Sequence, residues 1–544
     1  MTTKIERSRV VFIGCPNKNK RNKEKIMNKN IFKSAAPVLP MANTVNNAGG
    51  LAFSMEDEEA LAQLACTGTF NGTYYASGTD TLADVLRLAK TVSPEFLAKL
   101  AVYSRESAFM KDSSAVLLAV LMTRNINLFC QVFDRVIDNG KMLKNFCQVV
   151  RSGQVGRKSF GSAPKRMIKV WLENRSDKHL FEDSVGNDPS LSDVIKMVHP
   201  KPANANREAF YKYLIGKKVE NTSLLPLNVQ EFEAFKLAPK GSRTVPNVPF
   251  QMLTALDLSN KEWTDIARNA KWHMTRMNLN TFERHAVFSE PGMIDMISTR
   301  LKSEKDIRNS KVFPYQLFIA YMSATTVPTK VKNALQDAME IATQNTPKIA
   351  GKVFVGVDCS GSMGAAVTGN RGTATTQVNC NQVASLMAAC ILRNTEDSCT
   401  VYRFDTHASL LTLNPRDSVM TNSQKIGLSG GGTDCGAMLR TMNSNKDKAD
   451  VVFILSDNES WSNPYSGMST NLMKEWTVFK ARNPKAKLVC VDLAANTTKQ
   501  VAAQKDILCV AGFSDNVWPV VEAFLEDGKT SWVDKIKQSV TLSA

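Results

Sequence analysis

Between residues 56 and 345, apolar positions recur three and four apart and are separated by short polar breaks. That spacing puts the apolar residues on one face of a helix. It predicts helices over Glu58–Leu64, Thr81–Thr91, Pro94–Ser104, Ser114–Thr123 and Ile126–Asn139. Ser93-Pro94-Glu95 reads as a cap followed by Pro at the first helical position. Asp112-Ser113-Ser114 and Ser190-Leu191-Ser192-Asp193 read as further helix starts. From residue 350 the texture changes. Short β-branched runs at 352–357, 399–404, 451–456, 487–493 and 507–510 alternate with helical patterns at 379–393, 434–442, 469–482, 496–504 and 516–526. Such alternation predicts a parallel sheet with helices on both faces.

The expected architecture is therefore mainly α plus α/β. A long array of paired helices has the character of an α-solenoid of HEAT type, and a Rossmann-like α/β domain follows it. The boundary falls near Thr346-Pro347-Lys348, giving segments 1–40, 41–348 and 349–544. The first is polar and rich in Asn and Lys, as in Asn17-Lys18-Asn19-Lys20-Arg21-Asn22-Lys23. It cannot bury enough apolar surface to order itself, so disorder is expected. Met27 and Met41 are both plausible starts.

Charge sharpens this division. The chain carries a net charge of +17. Residues 1–35 hold ten Lys/Arg and two acids, 36–349 hold thirty-nine and thirty-one, and 350–544 hold nineteen and eighteen. The α/β domain is thus nearly neutral, and the basic excess precedes it. A basic region of this size points to a polyanion, either nucleic acid or an anionic membrane. No run of about 18 apolar residues is present, so no membrane span is expected. The eleven Cys are scattered and form no Cys-x-x-Cys pair. They read as buried thiols of a reducing cytoplasm, Cys390, Cys490 and Cys509 among them. Five His without a His-x-x-x-His pair, and no P-loop, leave no catalytic constellation, so a non-enzymatic protein is expected.

One motif carries chemistry. The apolar run Val353–Val357 ends in Asp358-Cys359-Ser360-Gly361-Ser362. One carboxylate and two hydroxyls at alternate positions can converge on a small hard cation such as Mg²⁺ rather than on zinc. Two later segments strengthen it, about 75 and 25 residues apart: Gly430-Gly431-Gly432-Thr433-Asp434, and Val451–Ser456 ending in Asp457. Ligands of open α/β sheets gather outside the carboxyl ends of the strands, where these segments would meet. The bland alternative is a set of turn and cap residues without metal. The set resembles the metal-ion-dependent adhesion site of a von Willebrand factor A domain over residues 350–544. That resemblance maps the metal ligands to Asp358, Ser360, Ser362, Thr433 and Asp457.

The helical part resembles the TROVE module of the Ro autoantigen family across roughly residues 42–345. The likeness rests on Asn46-Asn47-Ala48-Gly49-Gly50, on Leu64 to Tyr75 with its Gly-Thr-Tyr-Tyr, and on Lys165-Arg166-Met167-Ile168-Lys169-Val170-Trp171. Ser192 to Pro202, Asn278 to Phe282 and Phe313 to Leu317 extend it. A TROVE module followed by a von Willebrand factor A domain is that family's architecture. The resemblance implies a monomeric ring of HEAT-like helices closed at the metal domain. Such rings hold single-stranded 3′ ends of misfolded non-coding RNAs in a central hole and Y RNAs on the outside. They act in RNA quality control or as a tether for processing enzymes such as an exoribonuclease.

An RNA site needs cations for phosphates and planar groups for bases. Lys165, Arg166 and Lys169 share one helix face, near Arg157 and Lys158. Lys196, His199 and Lys201 make a second cluster. Each could instead be a solvated basic face, and His199 a helix-end residue. Where the family often carries a His before its Asp-Leu-Leu-Arg block this chain has Leu191, and the block's Arg is Lys196, a point charge without a fork. Both departures bear on the Y RNA surface. Tyr74 and Tyr75 read as packing residues for the first helix rather than as base-stacking groups. An alternative function is a metal-dependent scaffold whose cation takes an acidic side chain from a protein partner.

Overall fold

The computed structural model describes residues 39–542 except 68, 187, 311, 313, 373–376, 463–467, 514–516 and 529. The basic segment up to residue 38, and Gly68 and Phe313 of the quoted blocks, lie outside these. Nine strands are numbered along the chain: β1 Thr44–Val45, β2 Leu51–Ser54, β3 Lys352–Asp358, β4 Ser398–Phe404, β5 Ala408–Leu411, β6 Val451–Ser456, β7 Lys487–Asp492, β8 Thr498–Lys499 and β9 Ile507–Ala511.

The region from 57 to 342 is helical, and the periodic stretches form helices close to where they were expected: Asp57–Thr67, Gly78–Thr91, Pro94–Glu106, Asp112–Arg124 and Ile126–Val136. Their caps are the polar breaks between them. Ser93 accepts the Phe96 amide, and Ser190 forms a reciprocal capping box with Asp193. Each such cap contributes about 1 kcal/mol. Successive helices pack on the next or next but one around interlocked aromatics. Phe129, Phe133 and Phe146 meet with ring centroids 5.4 to 5.9 Å apart, close enough for edge and offset attraction.

In the α/β domain the order is β5-β4-β3-β6-β7-β9. Every ladder is parallel except β4 with β5. β3 is central and buried on both sides from Val353 to Asp358, as continuous apolar runs require. Strand β5 departs from the expected all-parallel sheet. Asp405 turns the chain back: its amide donates to the His407 carbonyl and its carboxylate accepts the His407 amide, and the exposed strand carries no apolar alternation to announce it.

The helix expected over 496–504 does not form. Thr498 and Lys499 instead pair with Ser54 and Phe53 of β2, which in turn pairs with β1. A partner more than 400 residues away overrides local pattern here. Two further helices, Val419–Ile426 and Trp532–Ser539, were not foreseen.

Both ends of the helical array seat on the α/β domain. Near its start, Lys99 donates to the Lys537 carbonyl, Arg135 to the Thr541 carbonyl, and Lys537 pairs with Glu58. At its end, Arg393 pairs with Glu340, which also accepts the Val419 amide, and Tyr315 meets Phe513 edge to face. The array leaves the domain at one side and returns to it at another, so the chain closes through that domain.

Candidate metal centre and basic surface

Asp358 ends β3, and its carboxylate is wholly buried. Oδ1 accepts the Ser360 amide at 2.8 Å and Oδ2 accepts the Ser456 hydroxyl at 2.5 Å. The Ser360 and Ser362 hydroxyls stand 3.3 Å apart. The glycine loop is stitched to this turn through main chain. Gly361 donates to the Gly431 carbonyl, and Ser429 and Gly430 donate to the Cys359 carbonyl. Thr433 is held from the other side, its carbonyl accepting from Ser460, Trp461 and Ser462 just beyond Asp457. The five residues therefore converge at one sheet edge, each no more than 5% exposed.

Close approach explains two of the glycines. A Cβ at Gly431 would lie 2.7 Å from the Asp405 carboxylate, and one at Gly432 would lie 2.7 Å from the Trp461 ring. Asn381, at the start of helix Cys380–Asn394, donates to the Asp358 carbonyl and fixes the strand end from behind.

Burial, reinforced by the neighbouring Asp457 charge, pushes the Asp358 carboxyl well up, and burial does the same to Asp457. Two carboxylates out of water with hydroxyls for company are costly unless a cation compensates them. No basic side chain is among their hydrogen-bond partners in the described residues. The oxygen-only donor set fits a hard divalent ion. Among the described residues no cluster of three or more His, Cys, Asp or Glu forms a softer site.

Two neighbours take roles that local sequence pattern does not disclose. Glu459, a second acid beside Asp457 at a position that suits a loop or a helix start, is fully buried. It accepts Asn47 Nδ2 at 3.0 Å and the Ala48 amide at 3.2 Å, and burial raises it to about 7. Tyr75, which reads as packing for the first helix, lies instead against the metal centre, hydrogen-bonded to Ser362 and pushed to about 12 chiefly by burial. A narrow cavity lined by Thr73, Tyr75, Ser362, Val367, Asp457 and Asn496 lies between Tyr75 and the candidate ligands. The Asn46–Gly50 block and the Gly-Thr-Tyr-Tyr block thus serve to cap the metal domain.

The basic residues lie elsewhere. Lys165 and Arg166 are exposed and Lys169 half-exposed on helix Ser162–Asn174. Lys158 is exposed with its stem over Gly153, and half-buried Arg157 donates to the Ser159 carbonyl. Lys196 and Lys201 are exposed around the end of helix Leu191–Val198. His199 caps that helix in the left-handed region at φ 50°, the helix-end role open to it in the sequence. Leu191 is buried. Helices Ser162–Asn174 and Leu191–Val198 pack on each other, with Gly140–Ser152 contacting the second. That arrangement adds exposed Arg151, whose charge reaches Asp193. None of the eight predicted groups forms an ion pair among the described residues.

Fold and site together define a helical-repeat array closed through a von Willebrand factor A domain. Residues 352–525 match the family model described as the Ro60 vWA domain. The RNA-binding protein RO60 of Deinococcus radiodurans is 22% identical over 521 residues, spanning 88% of this chain and 94% of that protein. The RNA-binding protein RO60 of Caenorhabditis elegans is 26% identical over 180 residues, 31% of this chain and 27% of its own length. The crystal structure of the Deinococcus radiodurans RO (RSR) protein superposes with a TM-score of 0.63 at 19% identity, covering 87% of this chain and all of that one. Residues 352–525 therefore resemble the Ro60 vWA domain, and most of the chain shares the fold of the Deinococcus radiodurans RO protein.

Proposed function

We propose that this protein is a non-enzymatic RNA-binding ring that holds single-stranded 3′ ends of misfolded non-coding RNAs, Y RNAs, or both. It acts in RNA quality control or as a tether for an RNA-processing enzyme such as an exoribonuclease. The observation that carries this reading is the run of basic groups on helices Ser162–Asn174 and Leu191–Val198 and the turns beside them, none in an ion pair among the described residues: Arg157, Lys158, Lys165, Arg166, Lys169, Lys196 and Lys201. A solvated helix face in a folded protein ordinarily mixes signs, so unpaired cations of one sign favour a phosphate backbone. Two relatives bearing the name RNA-binding protein RO60 support the same class of ligand.

The metal centre supplies a second, separate interaction. We assign it a divalent cation, Mg²⁺ by its donor chemistry, held by Asp358, Ser360, Ser362, Thr433 and Asp457. With the cation bound, Lewis-acid attraction for an acidic side chain of a protein partner becomes available. Exposed Trp461 stands beside Thr433 as an apolar rim for such a partner. A monomer in the cytoplasm is the state this reading takes, in keeping with described cysteines that are all free thiols. No described helix is long and apolar enough to cross a membrane.

The deciding experiment is filter binding of one structured RNA with and without a single-stranded 3′ tail. Tighter binding of the tailed RNA, with a steep salt slope, is expected. Equal affinity for the two RNAs would remove the 3′-end assignment.

A further inference from the structure

Most cysteines are sealed in the core, as their apolar contexts predict. Burial drives the thiols of Cys66 and Cys435 well up. One pair differs. Cys490 on β7 and Cys509 on β9 are register partners across a parallel ladder. Such strands run about 4.8 Å apart, which lies inside the Cα separation a disulfide spans. Cys490 is buried, but Cys509 is half-buried and opens on a cavity of about 610 Å³. Met55, Glu59, Lys499, Trp532 and Lys537 line that cavity.

A cation stands beside the open thiol. Lys499 Nζ is clamped by Glu59 at 2.6 and 2.7 Å. Burial opposes its charge, yet its neighbours, the Glu59 carboxylate among them, hold its ammonium above the usual range. The Cys490 thiol is kept protonated, first by its hydrogen bond to Cys509 and then by burial. One sulfur is thus half-buried at a cavity wall that also carries a cation, while the other is buried and hydrogen-bonded to it. Low-barrier access and a neighbouring positive charge are what make a thiol reactive.

We infer that Cys509 and Cys490 form a peroxide-reactive dithiol, with Cys509 as the attacking sulfur and Cys490 as the resolving one. The Cys509 thiolate attacks a hydroperoxide, its S–O bond forming as the O–O bond breaks, and hydroxide (or alkoxide) leaves. Cys490 then attacks the resulting sulfenic acid. An S–S bond forms, the S–O bond breaks, and the Cys490 proton leaves with the oxygen as water. Two thiols are oxidised and one peroxide is reduced. Strand β9 packs against helices Asp57–Thr67 and Trp532–Ser539, so the bond would form under the seam that closes the chain.

The test is peroxide treatment of the full-length protein, followed by thiol trapping and non-reducing peptide mapping. A Cys490–Cys509 disulfide is the expected product. Cys490→Ser should stop at a trappable sulfenic acid on Cys509, and Cys509→Ser should leave Cys490 reduced. Cys130 is also half-buried and serves as the internal control, with Cys509 expected to react at least about tenfold faster. Equal rates at Cys130 and Cys509 would overturn the inference. So would a disulfide from Cys490 to Cys435, or an oxidised Cys509 that never bridges in wild-type protein. The wild-type map decides the matter even if a variant fails to fold.

Discussion

The α/β domain hides its charge, whereas the helical array displays it. Asp358, Asp457, Glu459 and Asp492 are all nearly or fully buried around one sheet edge, while Lys165, Arg166, Lys196 and Lys201 stand in solvent, in no ion pair among the described residues. Buried carboxyl groups make a small, dry site suited to a compact cation. Exposed like charges make a broad surface whose ligand is large, hydrated and of opposite sign. The first is insensitive to salt and the second is governed by it. The same physical quantity therefore suits the two regions to different kinds of partner.

The comparison breaks most visibly at the basic surface. Replacing Lys165, Arg166 and Lys169 together by Ala should weaken RNA binding on the order of a hundredfold at low salt and flatten the salt slope by about three. Lys165 and Arg166 are exposed and Lys169 partly so, and the fold should survive. Filter binding across a salt series reads both numbers. Unchanged affinity would mean that these cations are only a solvated face.

Next in size is the metal centre. Asp358→Ala should abolish the rise in melting temperature that Mg²⁺ gives the wild type, measured against EDTA. RNA affinity should move by less than about threefold, because the two charge systems are separate. A large loss of RNA binding in folded Asp358→Ala protein would join what the comparison divides. That outcome has a physical route, since Asn47 and Ala48 of the opening block clasp Glu459 two residues from Asp457.

That route marks the limit of what the sequence discloses. Asp358, Ser360 and Ser362 are legible because they follow an apolar run, and Thr433 and Asp457 because parallel strands end at one edge. Each inference needs only local pattern plus one topological rule. The helices are legible for the same reason. Tyr75, Glu459 and strand β8 are not, because their partners lie far along the chain: Asn47 meets Glu459 across a separation of 412 residues. Local propensity for Asn496–Gln504 favours a helix, and nothing nearby announces that Thr498 will pair with Ser54. Cys509 reads as a core thiol because its neighbours are apolar, yet a cavity built from both chain ends opens onto it.

Titration sharpens the contrast further. Burial raises Asp492 from its ordinary 3.8 to about 8, against hydrogen bonds from Gln63 and Asn458 and beside Glu59, Asp457 and Glu459. Between those two values the folded state keeps a proton that the unfolded state has lost. Its contribution to stability is complete below the unfolded value and disappears as pH rises through about 8. Wild type should thus melt a few degrees lower at alkaline pH than at slightly acidic pH. Asp492→Asn, which keeps an acceptor for Gln63, should flatten that slope. An unaltered slope in Asp492→Asn would shift the titration to other groups.

The smallest effect tests the seam between the two regions. Tyr75 comes from the helical array, yet its hydroxyl rests on Ser362 of the metal centre. Tyr75→Phe removes that hydrogen bond and leaves the ring. A hydrogen bond of this kind is worth about 1 kcal/mol, so Mg²⁺ affinity should fall by about fivefold or less, with RNA affinity unmoved. Calorimetric titration of Mg²⁺ into the variant measures the first quantity and filter binding the second. If RNA binding falls instead, the Tyr75 hydroxyl touches RNA and the blocks around it serve the basic surface. If only Mg²⁺ affinity falls, the array lends a positioning residue to a site whose ligands all belong to the other region.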